Sequence, residues 1–289
     1  TDMATPPILK FGSEDLKQRY LVPAIKGEKI SCLGITEPGA GSDVAGIRTH
    51  AVRDGDEYVI NGSKTFITNG VRADFIVLVA KTDSDAGYDG FSLFVVDTDT
   101  PGFSVSKKLE KLGMHSSDTA ELTFEDMRVP AENLVGEEGK GFYHIMWELQ
   151  GERMIGAAGG VAGAQRVFDL TVEYAKERHA FGRPIGSFQA IRHKFAEMAT
   201  KIEVARQMVY ATAWRVQNGE YPVRETSMAK LYASRIGFEV CDECLQIHGG
   251  YGYMKEYPVE RAWRDMRLNR IGAGTDEIML EVIGRSYGL

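Results

Sequence analysis

Hydrophobic spacing along the chain changes character twice. Residues 1–30 read as helical, with Ser13 placed to cap a short helix whose first turn carries Glu14 and Asp15. From about Ile30 to Pro130 the pattern is that of strands. Asn61-Gly62, between Tyr58-Val59-Ile60 and Thr65-Phe66-Ile67-Thr68, signals a hairpin turn. Residues 75–80 and 91–96 are short apolar runs, and residues 119–124 alternate as a half-buried strand does. No long helix interrupts them, so a closed or sandwiched antiparallel sheet is expected. After Gly136 the period becomes helical, with helices expected over 141–178, 188–217, 223–248 and 276–286. Arg183-Pro184 and Tyr221-Pro222 mark two of the joints. The fold class is therefore α+β and multidomain: a helical segment over 1–29, an antiparallel β-barrel or sandwich over 30–136, and an antiparallel four-helix bundle over 137–289.

The first long helix carries an anomaly. Phe142, Ile145, Met146 and Leu149 form an apolar face, and Glu152 falls on that face three residues after Leu149. Gly156, Gly159, Gly160 and Gly163 continue it almost without side chains. A carboxylate in apolar surroundings has a raised pKa and suits a general base. The plainer alternative is close helix packing through the glycines, with Glu152 paired to an arginine.

Composition narrows the field. The 289 residues are 43% hydrophobic, enough for a sizeable core, and the formal net charge of -7 with interspersed signs argues against nucleic acid or an anionic membrane as partner. No run is long enough to span a bilayer. Three cysteines point to a reducing compartment without a disulfide framework, and six scattered histidines show no metal-ligand spacing. Cys241 and Cys244 form an isolated C-x-x-C inside a helical pattern, a weak signal for metal or redox chemistry.

Two loops add candidate chemistry. Thr36-Glu37-Pro38-Gly39-Ala40-Gly41-Ser42-Asp43 combines flexible backbone with hydroxyl and carboxyl groups, which suits either ligand contact or a surface turn. Thr65-Phe66-Ile67-Thr68-Asn69-Gly70 ends a strand with an aromatic and a hydroxyl. Together these stretches resemble the acyl-CoA dehydrogenase family. Further matches are Arg178-His179-Ala180-Phe181-Gly182 with Gln189, Gln246-Ile247-His248-Gly249-Gly250-Tyr251-Gly252, and Gly272-Ala273-Gly274-Thr275-Asp276-Glu277-Ile278. Five motifs stand in family order from Leu33 to Glu277, covering nearly the whole chain.

The resemblance implies bound FAD. Leu33, Ile35, Thr36, Gly41 and Ser42, with Phe66, Ile67 and Thr68, would hold the isoalloxazine ring. Arg178, Phe181, Gln189, Gln246, Gly249 and Gly250 would reach FAD bound mainly by a neighbouring subunit of a homotetramer. Thr275 and Glu277 would complete contacts on the phosphate side. Guanidinium geometry suits Arg178 to pyrophosphate, against the alternative of an ordinary surface arginine. The Gln246–Gly252 stretch alone could equally be a glycine-rich helix C-cap. Many members carry the catalytic glutamate where Ala273 stands here. Glu152-Arg153 matches the alternative position of the isovaleryl- and long-chain-type branches.

The resemblance further implies an acyl-CoA substrate, with Ser42, Tyr143, Gln150, Arg153, Ala273 and Gly274 near it. The implied reaction is the dehydrogenation step of fatty acid β-oxidation, with electron transfer flavoprotein as acceptor. Bacterial cytoplasm or mitochondrial matrix is the implied location. Rival readings are an acyl-CoA oxidase, a non-catalytic acyl-CoA or flavin binder, and a structural helical domain. Family members begin with a further helical domain, so residues 1–29 are expected to be its last portion.

Overall fold

The computed structural model describes residues 3–289. The first two residues of the expected opening helical segment lie outside that range. The chain forms two compact bodies, one reaching to Lys111 and including His115–Gly151, the other Leu112–Met114 with Glu152–Leu289.

The first body opens with helices α1 (Pro6–Phe11), α2 (Glu14–Leu16) and α3 (Val22–Lys26), a π-turn over Lys17–Leu21 joining the last two. Ser13 caps α2 by accepting the Leu16 N–H at 3.2 Å, with Glu14 and Asp15 in the first turn. The strands are β1 (Ser31–Gly34), β2 (His50–Asp54), β3 (Glu57–Thr68), β4 (Phe75–Lys81), β5 (Phe91–Asp97), β6 (Phe103–Lys108) and β7 (Thr119–Pro130). They form one sheet ordered β1-β4-β2-β3-β7-β6, with β5 also on β4. Every pairing is antiparallel except those of β4 with β1 and β2. The crossover from β1 to β4 carries a loop and the β2–β3 hairpin, which is long enough for parallel return.

β4 and β5 are buried on both faces. Phe75, Val77 and Val79 pack with Ile8, Leu16, Tyr20 and Ile145, while Ile76, Leu78 and Ala80 pack with Tyr58, Ile60, Leu122 and Phe124. The period of two thus sends alternate side chains into two cores, which is why these runs read as unbroken apolar sequence.

Asn61-Gly62 is not a hairpin turn. β3 runs straight through it, and the reversal lies two residues after β2, where Asp54 pairs with Glu57 around Gly55-Asp56. Gly55 has φ +63°, which suits that two-residue turn. Asn61-Gly62 instead marks a bulge against β7. Asn61 exchanges two hydrogen bonds with Asp126, at 3.1 and 2.8 Å. A side chain on Gly62 would lie 2.4 Å from the Thr49 hydroxyl, so its glycine serves close approach rather than reversal.

A single helix, α4 (Gly141–Glu177), continues from the first body into the second. The second body adds the two-residue strands β8 (His179–Ala180) and β9 (Arg183–Pro184), then α5 (Gln189–Gln217), α6 (Val223–His248), α7 (Pro258–Met266) and α8 (Asp276–Arg285). Ion pairs Lys194–Glu243 and Lys201–Glu239 show α5 and α6 running antiparallel. Ring stacking of Tyr174 on His248, together with the approach of Gly160 to the Ala233 carbonyl, shows α4 and α6 parallel. A Cβ at Gly160 would sit 3.2 Å from that carbonyl, so its absence lets the two backbones close. Helix α7 was not foreseen, although Pro258 in its first turn and Glu260 behind it are start signals. Cys241 and Cys244 are fully buried apolar fillers, their thiols pushed up by burial to about 12 and about 11.

Candidate functional site

Candidate residues fall in both bodies. In the second, Glu152 sits on α4 with 8% of its surface exposed, and its Oε1 has no hydrogen-bond partner. Burial pushes its carboxyl up to about 7, against a smaller downward pull from the Arg153 guanidinium. Beyond it the glycines divide. Gly156 and Gly159 have open space where a side chain would be, whereas Gly160 and Gly163 pack against α6 and Met266. The carboxylate therefore lies beside a stretch of helix bare of side chains.

Arg153 does not neutralise Glu152 through a hydrogen bond. Its Nε donates to the Ala273 carbonyl at 3.0 Å. Ala273 is left-handed, with φ +55°, and Gly274 follows at φ +106°. The next carbonyl, of Gly274, accepts from the ammonium of Lys230 on α6. Lys230 is buried, and that burial brings its pKa down to about 8. Asp276 then takes Arg270 at 2.7 Å and Arg235 at 3.1 Å, and Thr275 caps α8 by accepting the Ile278 N–H at 3.3 Å. Four cations thus hold one short turn. Each trans peptide whose carbonyl is drawn inward sends its N–H outward, so Arg153 aims the Gly274 N–H and Lys230 the Thr275 N–H. Glu277 is exposed one residue into α8.

The motif at Arg178 lies on the surface of this body. Phe181 is 95% exposed at φ +52°, an uncommon and strained state for an aromatic residue. With Phe188, Ile191, Lys194 and Gln246 it lines an open cleft of about 360 Å³. Arg178 stands 5.5 Å above the Tyr251 ring, and Gln189, Gly249 and Gly250 are exposed. The structure therefore brings Phe181 and Gln246 together.

In the first body, β1 leads into the loop that carries Ile35, Thr36, Gly41 and Ser42, with Leu33 on the strand itself. The Thr65 N–H donates to the Thr36 carbonyl at 2.8 Å, joining this loop to the end of β3. A register shift between Lys64 and Ile67 marks a second bulge. Within it Phe66 adopts φ +61° and turns its ring outward, 68% exposed. Thr68 is exposed beside it, while the Ile67 side chain is buried with Ile76, Leu78 and Phe124 in the core of this body, which leaves only its backbone for a ligand. Tyr143 on α4 is half exposed and Gln150 half-buried, its amide donating to the Met146 carbonyl at 3.4 Å. Among the described residues, no group of three or more His, Cys, Asp or Glu is placed to hold a metal ion, and no helix is long and apolar enough to cross a membrane.

Sequence reading missed Lys64 and Lys230, two fully or nearly buried cations that bond candidate loops. The available signal was phase. Lys64 follows Tyr58 and Ile60 in the inward register of β3, and Lys230 shares a face with Ala233 and Gly237.

Comparison with known proteins supplies the family. Residues 32–127 match the model of the acyl-CoA dehydrogenase middle domain, and residues 139–288 that of the acyl-CoA dehydrogenase C-terminal domain. The short-chain specific acyl-CoA dehydrogenase of Megasphaera elsdenii is 44% identical over 279 residues, 96% of this chain and 73% of that protein. The CarC subunit of the caffeyl-CoA reductase–Etf complex of Acetobacterium woodii is 44% identical over 281 residues, 97% of this chain and 74% of that protein. The crystal structure of an acyl-CoA dehydrogenase from Geobacillus kaustophilus superposes with a TM-score of 0.98 at 48% identity, covering 100% of this chain and 76% of that one. With both family models matched along most of its length, the chain belongs to the acyl-CoA dehydrogenase family.

Proposed function

We propose that this protein dehydrogenates an acyl-CoA thioester to the trans-2-enoyl-CoA, with Glu152 removing the α proton. The observation that carries the reading is the buried Glu152 carboxylate, its pKa raised to about 7 and one oxygen unpartnered. The competing family position is Ala273, which has no group to accept a proton.

FAD is the cofactor of the family, and the residues present fit it. Phe66 and Phe181 offer exposed aromatic faces, Gly39 leaves open space where a side chain would stand, and Arg178 presents an exposed guanidinium, braced over the Tyr251 ring, for phosphate. Bound there, FAD would supply the hydride acceptor for the β carbon. Leu33–Ser42 and Phe66–Thr68 would hold its ring. Arg178, Phe181, Gln189, Gln246, Gly249, Gly250, Thr275 and Glu277 would serve its outer parts, some of them on FAD bound by a neighbouring subunit.

An α proton of a thioester is weakly acidic, so charge developing on the thioester oxygen needs fixed donors. The turn at Ala273-Gly274 supplies outward N–H groups whose direction Arg153 and Lys230 set. Ser42 and Tyr143 flank the CoA arm, and Gln150 shapes the acyl pocket. Electron transfer flavoprotein is the acceptor, supported by the Acetobacterium relative, which is a subunit of a complex with Etf.

The test is anaerobic bleaching of the flavin after mixing with saturating acyl-CoA. Glu152→Gln keeps size and polarity but cannot accept a proton. It should bleach at least about a hundredfold more slowly than wild type while FAD and acyl-CoA binding persist. Bleaching at the wild-type rate would remove Glu152 from the assignment. Reoxidation of the reduced protein by air, if as fast as by electron transfer flavoprotein, would make oxygen the acceptor instead.

A further inference from the structure

Lys64 is a cation with no exposed surface inside the β-rich body. Its ammonium donates to the Ile35 carbonyl at 2.9 Å and to Glu37 Oε1 at 2.8 Å. Glu37 is itself buried. Its Oε1 also accepts the Thr49 N–H at 2.9 Å, and its Oε2 accepts the Arg48 N–H at 2.7 Å. Burying two charges is costly unless their remaining bonding capacity is met, and here both carboxylate oxygens are met. Such a pair is better explained by the arrangement it fixes than by the stability it adds.

That arrangement is specific. The Ile35–Thr36 peptide is trans, so drawing its carbonyl onto Lys64 turns the Thr36 N–H the opposite way. The following carbonyl, of Thr36, is drawn onto the Thr65 N–H. Two successive carbonyls of the loop thus dock on two successive residues of β3, and the next residue is the left-handed, outward-facing Phe66. We propose that Lys64, held by Glu37, is a positioning residue for the flavin: it aims the Thr36 N–H and seats the 33–42 loop against the Phe66 turn. This rests on the reading that these stretches hold the ring, and adds what sets their geometry.

Lys64→Met removes both charge and donor but leaves Glu37 buried without its cation, which destabilises the fold in its own right. The informative variant is Lys64→Met/Glu37→Gln, which leaves no unpaired charge. FAD affinity of the apoprotein is read by quenching of flavin fluorescence, beside the melting temperature of the same apoprotein. The double variant should melt near wild type yet bind FAD at least about tenfold more weakly, the worth of one misdirected donor. Recovery of FAD affinity together with melting temperature would make the pair a packing feature and overturn the proposal.

A second measurement needs no variant. In wild-type protein, hydrogen exchange over residues 33–42 should slow when FAD is added to the apoprotein, and unchanged exchange would also overturn it. Phe66→Ala tests the underlying reading separately. If that variant keeps full FAD affinity, the ring lies elsewhere and the placement of the cofactor fails, not merely the role of Lys64.

Discussion

Glu152 is held between two opposing influences, and their balance has consequences for both rate and stability. Burial raises its pKa from the ordinary 4.5 to about 7, while Arg153 pulls it down by less. A base works only when ionised, so kcat/KM should fall on the acid side with an apparent pKa near 7. A limb near 4.5 would mean that the carboxylate is solvated in the working protein. The sign for stability is opposite. Because the folded-state pKa is raised, the native protein binds this proton more tightly than the unfolded chain does. The stabilisation is full below about 4.5 and is lost as pH rises through 7. Glu152→Gln should therefore raise the melting temperature at pH 8, by the equivalent of at most about 3 kcal/mol, and leave it nearly unchanged at pH 5. Equal shifts at both pH values would show that the effect is packing rather than ionisation. The burial of Glu152 was suggested by its phase with Ile145 and Leu149, although phase alone fits a packed, arginine-paired carboxylate equally well, and the resemblance is what singled it out. Lys64 and Lys230 broke phase in the same way, but lysines on strands and helices are usually solvated, so phase alone did not single them out. Phe66, Phe181 and Ala273 were found through motif resemblance. Their left-handed backbone, which sets where Phe66 and Phe181 point, has no local sequence signature.

At the scale of elements, the period of 3.6 located the four longer C-terminal helices to within a residue or two, and the short apolar runs located β4 and β5, whose burial on both faces emerged only in the fold. Turn chemistry was less legible. Asn61-Gly62 carries the strongest two-residue hairpin signal in the region, yet its glycine answers to Thr49 across the sheet, a neighbour that local sequence does not reveal. The 272–276 turn is the element whose behaviour is most open to test. Lys230 faces Arg153 as a like charge and Asp276 and Glu277 as opposite charges, and burial outweighs these in lowering its pKa to about 8. Above that pH the ammonium becomes neutral, and its hold on the Gly274 carbonyl weakens. We expect an alkaline limb in kcat near pH 8, above the acid limb of Glu152. Lys230→Met should lower kcat at pH 7.5 by up to about 100-fold, the low end for outright loss of one oriented donor, because Lys230 aims the donor and does not supply it. It should also abolish the alkaline limb and leave helix content by circular dichroism unchanged. A limb that persists in Lys230→Met would assign it to another group.

At the scale of the whole molecule, the bundle carries more apolar surface than one chain covers. On α5, Val204, Tyr210 and Trp214 are 48%, 64% and 63% exposed, within an arc of roughly 120° on one helix. Phe181 adds a strained aromatic ring that stays 95% exposed, with Phe188 meeting it edge-on at 6.1 Å. A monomeric protein seldom leaves such a face uncovered, and we propose a second copy of the chain as the partner that covers it. We expect a tetramer with FAD sites completed across subunits, hence a light-scattering mass of about 128 kDa, four times the 32.0 kDa chain. Tyr210→Glu/Trp214→Glu places charges on that face without touching a candidate site residue. It should lower the mass to that of a smaller assembly. If subunits share the cofactor across this face, the flavin absorbance per chain should fall with it. Arg178→Ala should instead lower flavin retention while the mass stays near 128 kDa, because it removes a phosphate partner and not an interface. The two variants therefore separate assembly from cofactor contact. A wild-type protein that scatters as a 32 kDa monomer with one FAD per chain would end the shared-site reading, since Arg178, Phe181 and Gln246 would then have no neighbouring cofactor to reach.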